Sequence, residues 1–284
     1  MAEIDPVEFR LWARYIHDIS GISLGESKSY LIETRLGPLL QQFGCKTFSD
    51  LYHKSRQDQS RNIEKHVIDQ ISTNETQFFR DSAPFDMLKY KILPDLMDAR
   101  MKNRSPGPPV SLKVWSAGCS TGQEVYSIAM ALHEILSDIN ASSIMILGTD
   151  ISGAAITRAS RGVYNAFELE RGLDSARVNR YFVPEGRDWK IRDEIRGLTT
   201  FRKMNFMQPF IGLGRFDIVF CRNVAIYFEP TDRKKLFQNI GQALLPGGYL
   251  IIGATESLSG IAPQFEPRRY LRSVFYQLNN TVNI

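Results

Sequence analysis

Val114-Trp115-Ser116-Ala117-Gly118-Cys119-Ser120-Thr121-Gly122-Gln123-Glu124 is the stretch on which the fold turns. An apolar run enters Gly118, Gly122 follows, and a helical pattern over Val125 to Leu136 begins at once. Glycine lets the backbone turn tightly and lets a ligand approach closely. The helix start beyond it offers unpaired N–H groups. Dinucleotide-binding folds share this strand–loop–helix layout, but the stretch is not G-x-G-x-x-G, and the missing glycines argue against a pyrophosphate resting on the turn.

Glu124 points the same way, because a carboxylate at the helix start would repel a pyrophosphate. S-adenosylmethionine carries no phosphate and bears a positive sulfonium and ammonium, so an acidic wall suits it. The plainer reading is that Glu124 stabilises the helix start.

Downstream the pattern alternates. Ile144 to Leu147 reads as a buried strand ending near Asp150, Ala154 to Ser160 as a helix, Phe216 to Cys221 as a strand and Thr231 to Leu245 as a helix. Gly247-Gly248 then turns the chain into a strand over Tyr249 to Ile252, and Val274 to Leu278 is a last strand. Repeated β-α-β units predict a mostly parallel sheet covered by helices on both faces. Ligands of such sheets bind at the carboxyl ends of the strands. Asp150 stands there and can accept from the ribose hydroxyls of a nucleoside, or cap the following helix, or both. Arg222 and Asn223 leave the Phe216–Cys221 strand on the same edge as Gly118 and Asp150, and Met204-Asn205-Phe206 is placed to reach a base. Between residues 176 and 204, Tyr181-Phe182-Val183, Trp189-Lys190-Ile191 and Thr199-Thr200-Phe201-Arg202 read as short strands of a small antiparallel excursion, with turns at Gly186 and Gly197.

Upstream the chain is helical. Phe9, Trp12, Ile16 and Ile19 make one stripe; Ile32, Leu36, Leu39, Leu40 and Phe43 a second, stopped by Gly44. Phe48, Leu51 and Tyr52 begin a third helix near Thr47 or Ser49, and Ile63, Val67, Ile68 and Ile71 mark a fourth. Such a module alone is marginal. A helical stretch then runs from Ala83 towards Met101, with Pro84 in its first turn and Pro94 kinking or splitting it, and Asn103 to Pro109 is a loop.

The 284 residues suffice for one medium and one small domain. The N-terminus lacks a signal-peptide core, no apolar run could span a bilayer, and the expectation is a cytoplasmic protein with no membrane insertion. Cys45, Cys119 and Cys221 lack zinc-ligand or C-x-x-C spacing, and the four histidines lie far apart, so no metal site is expected. A net charge of +4 is too small to argue for nucleic acid and is compatible with an acidic protein partner.

Three segments in order carry a resemblance: Ser72-Thr73-Asn74-Glu75-Thr76-Gln77-Phe78-Phe79-Arg80, the Trp115 to Glu124 loop continuing into Tyr126-Ser127-Ile128-Ala129, and Cys221-Arg222-Asn223-Val224-Ala225-Ile226-Tyr227-Phe228. Together they resemble the chemotaxis receptor methyltransferase family, CheR, over nearly the whole chain. The resemblance implies an all-helical N-terminal domain (1–73) and a Rossmann-like class I methyltransferase domain (74–284) with a small antiparallel β-subdomain at about 176–204. It implies S-adenosylmethionine contacts from Asn74, Thr76, Arg80, Glu124, Asp150, Asn205, Phe206, Arg222 and Asn223, beside the Gly118 turn, with Arg80 and Tyr227 at the reacting centre.

It also implies the reaction: esterification of glutamate side chains on the cytoplasmic helical domain of chemoreceptors, leaving S-adenosylhomocysteine. Gln123 and Val125 replace the family's usual acid and proline around Glu124. The crossing from Phe182 to Trp189 is short, which resembles members that need no tether to a receptor's C-terminal pentapeptide. A monomer is expected. Lys28 and Arg35 could present a basic face to an acidic receptor helix, against a solvated mixed surface as the alternative. Arg80 would hold the substrate carboxylate or shape the sulfonium pocket and Tyr227 would orient the same group. Alternatively Arg80 pairs with Asp81 or Glu75 and Tyr227 packs its ring. Three rivals remain: a dehydrogenase, an inactive receptor-binding module and a small-molecule methyltransferase.

Overall fold

The computed structural model describes residues 3–102, 111–136 and 143–279. The loop expected at Asn103 to Pro109 lies outside the described residues.

Four helices come first: α1 (Pro6–Ser20), α2 (Ser29–Gln42), α3 (Phe48–Gln57) and α4 (Asn62–Ile71). Their starts follow from capping chemistry. The Asp5 carboxylate accepts from Val7 and Glu8 N–H while Glu8 reaches back, and Thr47 and Asp50 form the same reciprocal box for α3. The apolar stripes converge on Trp12, which is fully buried, donates its indole N–H to Phe48 O at 3.0 Å, and meets Tyr15 and Tyr52 edge to face. Trp12→Ala opens a cavity and orphans that carbonyl, so an expected loss of about 3–5 kcal/mol will appear as a lower urea midpoint. Circular dichroism and fluorescence of the full chain measure it.

Next come α5 (Ser82–Met87) and α6 (Leu93–Lys102), joined by a π-helical turn at Leu88–Ile92. Pro94 has no N–H to continue the ladder, and the stretch splits just before it.

The main domain alternates β1 (Ser111–Ala117), α7 (Gln123–Ile135), β2 (Ser143–Asp150) and α8 (Gly153–Arg161). A small region follows: β3 (Val163–Tyr164), α9 (Ala166–Glu170), α10 (Ser175–Tyr181), β4 (Phe182–Glu185), β5 (Asp188–Ile191) and α11 (Asp193–Arg196). The chain closes with β6 (Thr199–Lys203), β7 (Phe216–Cys221), α12 (Pro230–Ala243), β8 (Leu244–Ile252), β9 (Phe265–Tyr270) and β10 (Ser273–Leu278).

Seven strands form one sheet in the order β6-β2-β1-β7-β8-β10-β9, parallel from β6 to β8 and antiparallel at β10 and β9. Both faces are covered. Ile218, Phe220 and Ile251 enter one core, while Val219, Cys221, Leu250 and Ile252 enter the other. That alternation is the period of two of a strand buried on both sides.

Three expectations need correction. Thr199–Arg202 is not the third strand of the antiparallel excursion; as β6 it pairs in parallel with β2, and Phe201 packs beside Gly148 and Tyr126. The three-stranded excursion is β3-β5-β4, so it begins at Val163 rather than near residue 176. The Gly247-Gly248 turn lies within β8: Leu244 pairs with Phe216 and Tyr249 with Ile218, leaving Leu245–Gly248 as a bulge. The strand at Phe265–Tyr270 carries an exposed, charged run, Glu266 to Arg269, that masks its pairing with β10.

Candidate active site

From β1 the chain steps outward to β2 and β6, then returns on the other side of β1 as β7. That reversal opens a crevice beyond the carboxyl ends of β1 and β7, and a cleft lies there.

Its floor is the loop after β1. Gly118 and Cys119 N–H both donate to Thr149 O, at 2.7 and 2.9 Å, which folds the loop over the end of β2. Gly118 sits at φ 78°, and a Cβ there would lie 2.3 Å from Val224 Cγ2. Only glycine allows the loop from β7 to approach so closely.

Asp150 is buried beside this loop. Its carboxylate accepts from Ser120 N–H at 2.9 Å and Ser152 N–H at 3.0 Å. Burial raises its pKa, the backbone donors of Ser152, Ser120 and Ile151 oppose the rise, and the Asp69 charge adds to it. Ser152, not Asp150, caps α8 by accepting from Ala155 N–H. Asp150 is thus left with free lone pairs in the lining of the cleft.

Glu124 has a different role from a bare acidic wall. One oxygen accepts from Ser116 Oγ at 2.8 Å and the other from Arg222 at 2.9 Å. The Arg222 side chain is only 2% exposed and also donates to Arg80 O at 2.7 Å and Asp81 Oδ2 at 2.8 Å. Arg222 therefore lies in the wall of the cleft with its terminal nitrogens turned to protein acceptors.

Asn74, Thr76, Arg80, Phe206, Asn223 and Tyr227 all line the same cleft. Arg80 donates to the backbone oxygen of Glu75 at 3.1 Å, and the nearby acid Asp81 pairs with Arg222 instead. Asn205 is not brought to the cleft: its amide donates to Ile19 O at 2.8 Å and accepts from Met207 N–H at 2.9 Å, which fastens the helical domain to the sheet. The short side chain finds local and cross-domain partners instead.

The helical domain supplies part of the wall, which sequence reading did not foresee. Ser23, Leu24, Lys28, Leu31 and Arg35 reach the cleft. Ser23 N–H donates to Tyr227 O at 2.9 Å, and Asp69 on α4 accepts from Ser152 Oγ at 2.7 Å. Lys28 and Arg35 thus stand at the cleft rather than on a separate face.

The donor set fits a cationic nucleoside better than a dinucleotide. The loop N–H groups that would cradle a pyrophosphate are engaged, Ser120 N–H by Asp150 and Gly122 N–H by Cys119 O. The carboxylates of Asp150, at the end of β2, and of Glu124, in the first turn of α7 and paired with Arg222, line the cleft. Cys119 and Cys221 are buried, and burial above all pushes both thiols well up, so neither is a nucleophile at neutral pH. Among the described residues no group of three His, Cys, Asp or Glu could hold a metal, and no helix is long and apolar enough to cross a membrane.

Comparison with known proteins agrees with this geometry. The all-alpha domain of CheR methyltransferases matches residues 7–72, and their SAM binding domain matches residues 74–272. The chain belongs to the CheR methyltransferase family. Chemotaxis protein methyltransferase Cher2 of Pseudomonas putida is 37% identical over 276 residues, covering 95% of this chain and 98% of that one. Chemotaxis protein methyltransferase 1 of Vibrio cholerae is 38% identical over 278 residues, covering 97% and 98%. A chemotaxis protein methyltransferase of Borreliella burgdorferi is 34% identical and covers 87% of each chain. This CheR-family methyltransferase uses S-adenosylmethionine.

Proposed function

We propose that this chain is a chemotaxis protein methyltransferase that esterifies glutamate side chains on the cytoplasmic helical domain of chemoreceptors. The products are glutamate 5-O-methyl esters and S-adenosylhomocysteine. One observation carries the reading: a single cleft combines the acids Asp150, at the end of β2, and Glu124, in the first turn of α7, with the cations Lys28, Arg35 and Arg80. The acids suit a cationic nucleoside and the cations suit a carboxylate substrate. The names of the curated relatives supply the chemotaxis context.

The bound cofactor would supply an electrophilic methyl group on a sulfonium. Asp150 would hold the ribose hydroxyls, with Asn74, Thr76, Phe206 and Asn223 completing the pocket. A glutamate carboxylate of pKa about 4 is already ionised at neutral pH, so no general base is needed. Arg80 has N–H groups beyond the one given to Glu75 O and would orient that carboxylate, assisted by the Tyr227 hydroxyl. Orientation and exclusion of water then carry the rate. The β4–β5 hairpin turns through Gly186-Arg187 alone, which supports recognition without a C-terminal pentapeptide tether. We read the working form as a cytoplasmic monomer.

The test uses methyl-labelled S-adenosylmethionine and a receptor signalling fragment. Label is expected in the fragment and is released as methanol in mild base, because esters hydrolyse where N-methyl groups do not. Base-stable label, or label only in small molecules, refutes the reading. Removing the receptor's C-terminal pentapeptide is expected to leave the rate unchanged.

A further inference from the structure

Arg80 sits between two residues with positive φ, Phe79 at 47° and Asp81 at 57°. Asp81 combines that φ with a ψ of 112°, outside the small left-handed region open to side-chain-bearing residues. Backbones of this kind persist only where the surroundings over-determine them, and they cluster at working sites.

Two side chains do the holding. Phe79 N–H donates to Ser127 Oγ at 2.9 Å, and the Ser127 hydroxyl itself donates to Gln123 O at 2.7 Å, so its lone pairs are left facing Phe79. Ser127 is fully buried on α7 and does not line the cleft. On the other side Arg222 donates to Arg80 O at 2.7 Å and Asp81 Oδ2 at 2.8 Å. The Phe79 ring is packed as well, against Phe85 at 4.9 Å and under the Arg177 guanidinium at 4.1 Å. The segment is thus fixed at each end by a hydrogen bond its own sequence does not supply.

We propose that Ser127 and Arg222 are positioning residues that clamp the Phe79–Asp81 backbone in its strained form and so aim Arg80 into the cleft. The inference rests on the reading of Arg80 as the group that orients the substrate carboxylate. Ser127 touches neither cofactor nor substrate, so its effect must pass through the backbone it holds. Arg222 ties the same segment to Glu124, which makes the aim of Arg80 depend on the wall that faces the cofactor.

The test is a double-mutant cycle on the full chain, with methyl transfer to a receptor fragment and calorimetric binding of S-adenosylhomocysteine as readouts. Ser127→Ala leaves Phe79 N–H unpaired and is expected to lower kcat about tenfold, while the Kd for S-adenosylhomocysteine stays within about twofold. In an Arg80→Ala background the same change is expected to cost nothing further, since the residue it positions is gone. Asp81→Asn, at an exposed position off the cleft, removes the ion pair with Arg222 and is expected to follow the same non-additive pattern with a smaller loss; it decides the matter should Ser127→Ala fail to fold. Losses that multiply in the Arg80→Ala background overturn the inference. So does unchanged kcat in Ser127→Ala and Asp81→Asn alongside a slow Arg80→Ala, which would leave the proposed function standing. Full turnover in Arg80→Ala itself removes Arg80 from the mechanism and the inference with it.

Discussion

Arg80→Ala is expected to lower methyl transfer by about 10²–10³-fold, the usual cost of removing one preorganised charged donor from a reacting centre. Arg80 lines the cleft and, among the described residues, gives a single side-chain hydrogen bond to protein, at Glu75 O. A guanidinium has five N–H donors in a planar fork that matches a carboxylate. The remaining donors are available to substrate. Arg80→Lys keeps the charge but not the fork, and a partial recovery of rate is expected. The check is initial-rate transfer of labelled methyl to the receptor fragment at saturating cofactor. The urea midpoint of the variant is expected to match that of the parent chain, because a half-buried side chain with one hydrogen bond contributes little to stability.

The second large effect is expected at Asp150. Asp150→Asn should weaken S-adenosylhomocysteine binding by about ten- to a hundredfold, a loss of about 1.4 to 2.7 kcal/mol. An amide presents only one oxygen. The carboxylate now accepts from Ser120 and Ser152 N–H and still has lone pairs for two ribose hydroxyls. The amide NH₂ must face one of those backbone donors.

The parent chain should also bind with a pH dependence of defined sign. Burial raises Asp150 above the ordinary value of 3.8. Ribose hydroxyls donate to the ionised form, so affinity should fall as pH drops through the raised pKa, approaching tenfold per pH unit below it. Stability of the free protein should respond in the opposite sense at this group. With the folded pKa above the unfolded one, the folded state binds more protons between the two values, and the Asp150 contribution declines as pH rises through that window. Calorimetry across acid and neutral pH should therefore find a slope in the parent that Asp150→Asn lacks. An equal slope in both would assign the titration to another group.

The strand–loop–helix at Val114–Glu124 was legible because each link is local. An apolar run reads as a strand, Gly118 permits the turn at φ 78°, and a stripe of 3.6 periodicity starts the helix at Gln123. Asp150 was legible for the same reason, since position at a strand end follows from strand length. Arg222 was placed on the correct edge, but its partners were not readable. They are Glu124, Arg80 O and Asp81, and the last two lie more than a hundred positions away in the chain. The part of the helical domain in the cleft escaped notice because Ser23, Lys28 and Arg35 belong to no motif; only docking through Asp69, Asn205 and Ser23 brings them there.

The sequence by itself determined the four N-terminal helices, the strand–loop–helix around the glycine turn and the acid at the end of β2, because propensity, periodicity and capping act over a few neighbouring residues. Tertiary structure alone decided that Thr199–Lys203 joins β2 in the main sheet, that Asn205 turns to Ile19, that Glu124 is held by Arg222, and that the backbone on either side of Arg80 stands at positive φ. These outcomes depend on which distant donors and acceptors meet once the sheet and the helical domain close on one another, and no local pattern encodes that meeting.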